Sequence, residues 1–167
     1  MMIARKGFIE FVVPGKPRGK ARVWTDGRSG RKFVDKKTRD YMEQIVWCLK
    51  QVQRGYVSPT SRPTNIQVDA VFPVPVSWPQ WKRVAALAGD IAPTVKPDDD
   101  NIAKIVRDAL NGVLFKDDQQ VISSTDQKRY GETPHIRITV SVSDKLPAQC
   151  TKSEWEAHQS RTVDLYA

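Results

Sequence analysis

From Asn101 to Leu110 the residues Ile102, Ile105, Val106, Ala109 and Leu110 fall at i, i+3, i+4, i+7 and i+8, the spacing of one helical face. Asn111-Gly112 stands where such a helix must stop, and Asp100 precedes it as an N-cap. No other segment constrains the chain so tightly. The start of this helix is also its most acidic point, Lys96-Pro97-Asp98-Asp99-Asp100, in a protein whose formal net charge is +8. Carboxylates bunched this closely repel one another unless a cation sits among them.

The remaining periodicities call for a sheet. Ile9, Phe11 and Val13 alternate with Phe8, Glu10 and Val12 as a first strand, which Pro14-Gly15 ends. Asp35 is placed to cap a long helix with Tyr41, Ile45, Cys48, Leu49 and Val52 on its sheet-facing side. Gly55 to Thr64 reads as a connection, and Ile66, Val68, Ala70 and Phe72 as a second strand. Pro73, Pro75 and Pro79 interrupt the next stretch; Trp78 to Ala88 reads as a short helix, with Trp78 and Trp81 as packing residues rather than a binding platform. A strand from Gln119 to Lys128 and a last one at Ile136, Ile138, Val140 and Val142 complete the set. The expected fold is α/β (α+β), a single domain over residues 1–143 with a mixed sheet packed by helices. Residues 144–167 have no strong period and read as a tail, disordered or with a short helix near Ser153 to Gln159.

A 167-residue chain is about one domain long and buries roughly 70% of its surface on folding, enough for a core without staples. Cys48 and Cys150 have no CxxC spacing and read as free thiols in a reducing compartment. The longest apolar runs, such as Phe8 to Pro14, fall far short of the ~18 residues of a membrane span. With no export signal visible, the expected location is cytoplasmic.

The positive charge is concentrated rather than spread. Residues 1–40 carry 12 Lys and Arg against 4 acids, whereas residues 41–167 carry 15 of each. Lys16, Arg18, Lys20, Arg22, Arg28, Arg31 and Lys32 lie in a glycine-punctuated loop with Trp24. Such a loop can follow phosphates by charge and stack its tryptophan on a base, or it can simply be a solvated loop. A phosphate-binding P-loop is excluded, because Gly15 to Gly19 is one residue too short and Ala21 stands where Ser or Thr is required.

In an extended segment Asp98 and Asp100, two residues apart, leave the backbone on the same side, and Lys104 lies one helical turn beyond Asp100. Asp118 comes after the helix and a short connection, where the chain can return beside the helix start. Three hard oxygen donors and an ammonium suit Mg²⁺ or Mn²⁺ and phosphodiester hydrolysis. The same residues also admit a structural account: helix capping, a Lys104–Asp108 pair, and a plain turn at Asp117-Asp118. His135 and His158 offer no rival mechanism.

The run Lys-Pro-Asp-x-Asp-Asn-Ile-x-Lys-x-x-x-Asp-Ala-Leu-Asn-Gly from Lys96 to Gly112, with Phe115-x-Asp-Asp-x-Gln-Val to Val121, resembles the RusA-type Holliday junction resolvases common in phages and prophages. The likeness extends more loosely to Pro14 through Arg22, to Lys128-Arg129-Tyr130 and to the last strand. It implies a small, homodimeric, magnesium-dependent endonuclease that binds four-way DNA junctions and nicks them symmetrically, in recombination and repair. By position it puts the catalytic acids on Asp98, Asp100 and Asp118 and the essential lysine on Lys104. Phosphate contacts are expected from the basic loop and from Lys128. Two rivals stay open: a branched-DNA binder that does not cut, and a flap or single-strand nuclease.

Overall fold

The structure is a computed structural model that describes residues 3–5, 7–21, 24–25, 27–28, 32–33, 35–53 and 59–163 of the chain. Strands β1 (Ile3–Arg5), β2 (Phe8–Pro14), β5 (Thr64–Pro73), β6 (Val121–Gly131) and β7 (His135–Val142) form one sheet in the order β1-β2-β7-β5-β6. Only the β5–β6 pair is parallel, so the sheet is mixed as expected. Two short strands, β3 (Trp24–Thr25) and β4 (Lys32–Phe33), pair as a separate ribbon inside the basic segment, where the sequence suggests only loop.

Register explains the core. Phe11 pairs with Ile138 and Ile138 with Val68, so three apolar residues lie side by side across the sheet. Ile9, Val140 and Ile66 make a second row, and Val13, Ile136 and Ala70 a third. Because side chains alternate along a strand, all of these face one side. On that side lie α1 (Lys36–Gln53) and α3 (Asp99–Leu110), which bury Tyr41, Ile45, Cys48 and Leu49, and Ile102, Ile105, Val106, Ala109 and Leu110. Each helix buries the stripe that its spacing predicted. Burial also raises the pKa of the Cys48 thiol. The opposite side of the sheet is polar, with Glu10 accepting from Arg137 at 3.3 Å and from Thr139 at 3.4 Å.

Helix α2 (Gln80–Ala88) begins two residues after Trp78, whose ring meets Tyr130 edge-on at 5.3 Å while the Lys82 ammonium lies 4.1 Å above it. Trp78 is thus a packing residue, whereas Trp81 is exposed. Strand β6 starts at Val121, not Gln119, because Asp118–Gln120 form a 3-10 turn. Helix α4 (Lys152–Val163) occupies half of the tail, longer than the segment expected around Ser153 to Gln159. Its residues from Lys152 to Ala157 are exposed. Among the described residues no helix is long and apolar enough to cross a membrane.

Since Leu110 is fully buried, Leu110→Ala should cost about 2–5 kcal/mol in urea unfolding. Removal of residues 151–167 should change stability by less than about 0.5 kcal/mol, as for other surface changes.

Candidate active site

Helix α3 begins two residues earlier than its apolar stripe suggested, and this changes the geometry of the acids. Asp98, not Asp100, is the N-cap; its carbonyl accepts from Ile102 N at 3.1 Å, and its carboxylate makes no capping bond. Asp99 and Asp100 occupy the first helical turn, where negative charge is favoured by the helix dipole. Asp98 and Asp100 therefore do not leave an extended strand on one side, because the backbone is helical from Asp99 onward. Lys104 Nζ lies 2.6 Å from Asp100 Oδ2 across one helical turn, with both side chains largely exposed. The alternative pairing of Lys104 with Asp108 is not formed: Asp108 is bound by Lys20 at 2.5 Å.

That second pair shows where the basic segment goes. Residues Lys16 to Ala21 lie along the start of α3, with Lys20 N donating to Asn101 O at 3.0 Å. A Cβ on Gly19 would stand 2.7 Å from Pro97 Cβ and 3.0 Å from Asn101 Cβ, so only glycine permits so close an approach. A cleft of about 550 Å³ runs between this arm, the first turn of α1 and the Lys96–Asp98 segment. Behind the arm, Tyr41 has a fully buried hydroxyl without a hydrogen-bond partner. Burial pushes its pKa up to about 12, with the Arg18 backbone and charge acting in the opposite direction.

The remaining expected residues are dispersed. Arg22 and Arg31 lie outside the described residues, as does the Gly55–Ser58 part of the predicted connection. Lys32 is placed as a residue of β4, and Arg28 is exposed. Lys128 donates to Val95 O at 2.6 Å and lies 5.4 Å from the Phe72 ring centroid, so it ties the segment leading to Asp98 onto β6.

Asp118 is exposed in the 3-10 turn. Its neighbour Asp117 caps that turn, accepting from Gln119 N at 2.9 Å while its own N–H donates to Gln120 Oε1 at 2.9 Å. Asp118 is not beside the helix start. After Leu110 the chain turns at Gly112 and meets Thr60 through Lys116 N and the Gln120 side chain, before Val121 joins Thr64 at the beginning of β5. This is the far end of α3, whose 12 residues span about 18 Å at 1.5 Å per residue. Among the described residues no three His, Cys, Asp or Glu side chains already converge as a metal cage.

The structure brings to the helix start an acid that no motif or spacing singled out. The Val68–Ile138 row continues through Val68 to Asp126 on edge strand β6, so Asp126 shares the helix-covered face. Burial raises its pKa; Ser124, at 3.1 and 3.2 Å, and Arg107 oppose the rise, while the charges of Asp99 and Asp100 add to it. The available signal was an acid on the core-facing parity of a strand. The resulting donor set is carboxylate oxygen only, which fits a hard divalent cation and not a thiol- or imidazole-seeking one.

A mixed sheet with helices on one side, and a basic arm laid against an acid-bearing helix start, define an α+β protein built to meet a polyanion. The sequence profile of the family described as Endodeoxyribonuclease RusA matches residues 14–141. A protein of Bacillus subtilis (strain 168) described as "Uncharacterized protein YqaN" is 33% identical over 135 residues, covering 79% of this chain and 94% of that protein. The chain belongs to the RusA endodeoxyribonuclease family, which makes it a nuclease by class.

The close contact at Gly19 gives a direct test of arm docking. Gly19→Ala should lift the arm from Pro97 and Asn101, lowering stability by about 1–3 kcal/mol. Limited trypsin digestion after Arg18 and Lys20 should become faster.

Proposed function

We propose that this protein is a magnesium- or manganese-dependent endonuclease that resolves four-way junctions and related branched DNA by paired phosphodiester hydrolysis, as a homodimer, in recombination and repair. The observation that carries this reading is the contact of the basic arm with α3, through Lys20 N to Asn101 O beside its acidic start and Lys20 to Asp108 two turns further along. It sets phosphate-attracting charge beside carboxylates that repel phosphate, an arrangement that makes chemical sense when a cation joins them. Asp98 and Asp100 would hold that cation. When bound, it supplies a polarised phosphoryl oxygen and a hydroxide nucleophile.

The chain's own groups divide the rest of the work. The arm orients the backbone by charge, and Lys104, one turn from the acids, neutralises negative charge developing on the phosphorus oxygens. Its pairing with Asp100 holds the ammonium there before substrate arrives. Asp118 is the third acid of the reading. Because it lies a helix length away within one chain, a two-fold dimer in which each subunit lends Asp118 to its partner is the arrangement that unites the three acids. A junction also needs two incisions, which two symmetry-related sites provide.

Nicking of four-way junctions should require Mg²⁺ or Mn²⁺, disappear in chelator and return on adding the ion. Matched linear and flap substrates should be cut more slowly, and equal rates on all three would remove the junction preference. Asp100→Asn should abolish nicking while stability changes by no more than about 1 kcal/mol, the worth of an exposed ion pair. Loss of folding and DNA binding together would make Asp100 structural.

Shared sites make a distinctive prediction for mixed dimers. A heterodimer of an Asp100→Asn subunit with an Asp118→Asn subunit should keep one intact site and nick one strand, although each homodimer is inactive. An inactive heterodimer would place all three acids in one chain's site.

A further inference from the structure

The cleft beside Asp98 is lined by more than the arm. Its other wall is the first turn of α1, with Lys37 and Thr38, and its floor includes Lys96. That turn contains no acidic residue and carries Lys36 and Lys37, so Asp35 at the cap position is the one carboxylate set against the positive end of the 18-residue helix among the described residues. Of the cations lining the cleft, Lys20 is committed to Asp108, whereas Lys16, Arg18, Lys37 and Lys96 have no ion-pair partner among the described residues. Asp35 and Asp98 are the acids on its walls. Thr38 is only 5% exposed, lines the cleft, and has no hydrogen-bond partner for its hydroxyl among the described residues. A cleft with surplus positive charge and an unpaired hydroxyl is short of an acceptor with several oxygens.

We propose that this cleft is a backbone-phosphate subsite, which receives the phosphate next to the one hydrolysed at Asp98 and Asp100 and holds it through Lys37, Lys96 and the Thr38 hydroxyl. This rests on the nuclease reading of the acids. The subsite uses the helix N-terminus in the way such termini hold anions, with two lysines added. Since its ligands address phosphate oxygens and no base edge, it fixes the strand's path into the acidic site without selecting a nucleotide. Lys37 and Lys96 come from segments 59 residues apart by their numbering. The docked arm closes the cleft, which gives the Gly19 contact a purpose beyond packing.

The test is the salt dependence of four-way junction binding in the full-length protein, measured in Ca²⁺ to prevent cutting, alongside single-turnover nicking in Mg²⁺. Lys37→Ala and Lys96→Ala should each lower the slope of log affinity against log salt by about one, and the double variant by about two. Single-turnover nicking at subsaturating protein should fall in step with the lost affinity. Lys37→Arg with Lys96→Arg should restore the slope, which separates charge from any effect on folding. Lys152→Ala, on α4, is the control and should leave both readouts unchanged. An unchanged slope in the double alanine variant, or no DNA binding by the parent protein, overturns the subsite. If the parent binds with the Lys37- and Lys96-dependent slope yet never nicks in any divalent ion, the subsite stands and the nuclease reading fails.

Discussion

The burial of α3 against the sheet is the contact on which the rest of the molecule depends. Ile102, Ile105, Val106, Ala109 and Leu110 are all buried, so this helix has a single orientation on β5 and β6. That orientation decides which groups meet. It presents Asp98, Asp99 and Asp100 at one end, sets Lys104 one turn along, and carries Asn111 and Gly112 to the other end, where the chain is handed to Thr60 and β6. It also supplies Asn101 and Asp108 as the two fixed points to which Lys20 attaches. An apolar stripe thus places charges without touching them.

The arm and the acids are opposites held close by backbone as much as by charge. A partly exposed ion pair such as Lys20–Asp108 contributes little by itself, about 0–1 kcal/mol. The tight packing of Gly19 on Pro97 and Asn101 and the Lys20 amide bond are what restrict the arm. Its cations are therefore presented on a defined wall, and less ordering entropy remains to be lost when a polyanion arrives. Lys128 does comparable work on the other side. By binding the Val95 carbonyl it holds the segment that leads into Asp98.

Much of the architecture was legible in the chain itself. The periods of α1, α3, β2, β5 and β7 are clean because each element buries one continuous side, and burial is what periodicity records. Boundaries were less legible. The acids before Asn101 carry no hydrophobic signal, so nothing in the spacing showed that helical backbone already starts at Asp99. The 3-10 turn at Asp118 was likewise hidden, since it is a single short turn held by local backbone bonds and capped by the side chains of Asp117 and Gln120, none of which leaves a hydrophobic period. The β3–β4 ribbon was missed because two-residue strands are too short to show alternation.

The residue types that the proposed chemistry would use are a property of the sequence: the acids at 98, 100 and 118, Lys104 one helical turn from Asp100, and a basic N-terminal segment. Local spacing alone set the Asp100–Lys104 pair, because residues four apart on a helix are neighbours. The tertiary structure decided everything that depends on contacts remote in sequence. It joined Lys20 to Asp108, brought Lys37 and Lys96 to one cleft, faced Asp126 toward Asp99 and Asp100, and set Asp118 at the opposite end of α3. None of these can be read from periodicity, which reports the side a residue turns to the core. The partner it meets there is settled by strand order, register and the direction in which each helix crosses the sheet.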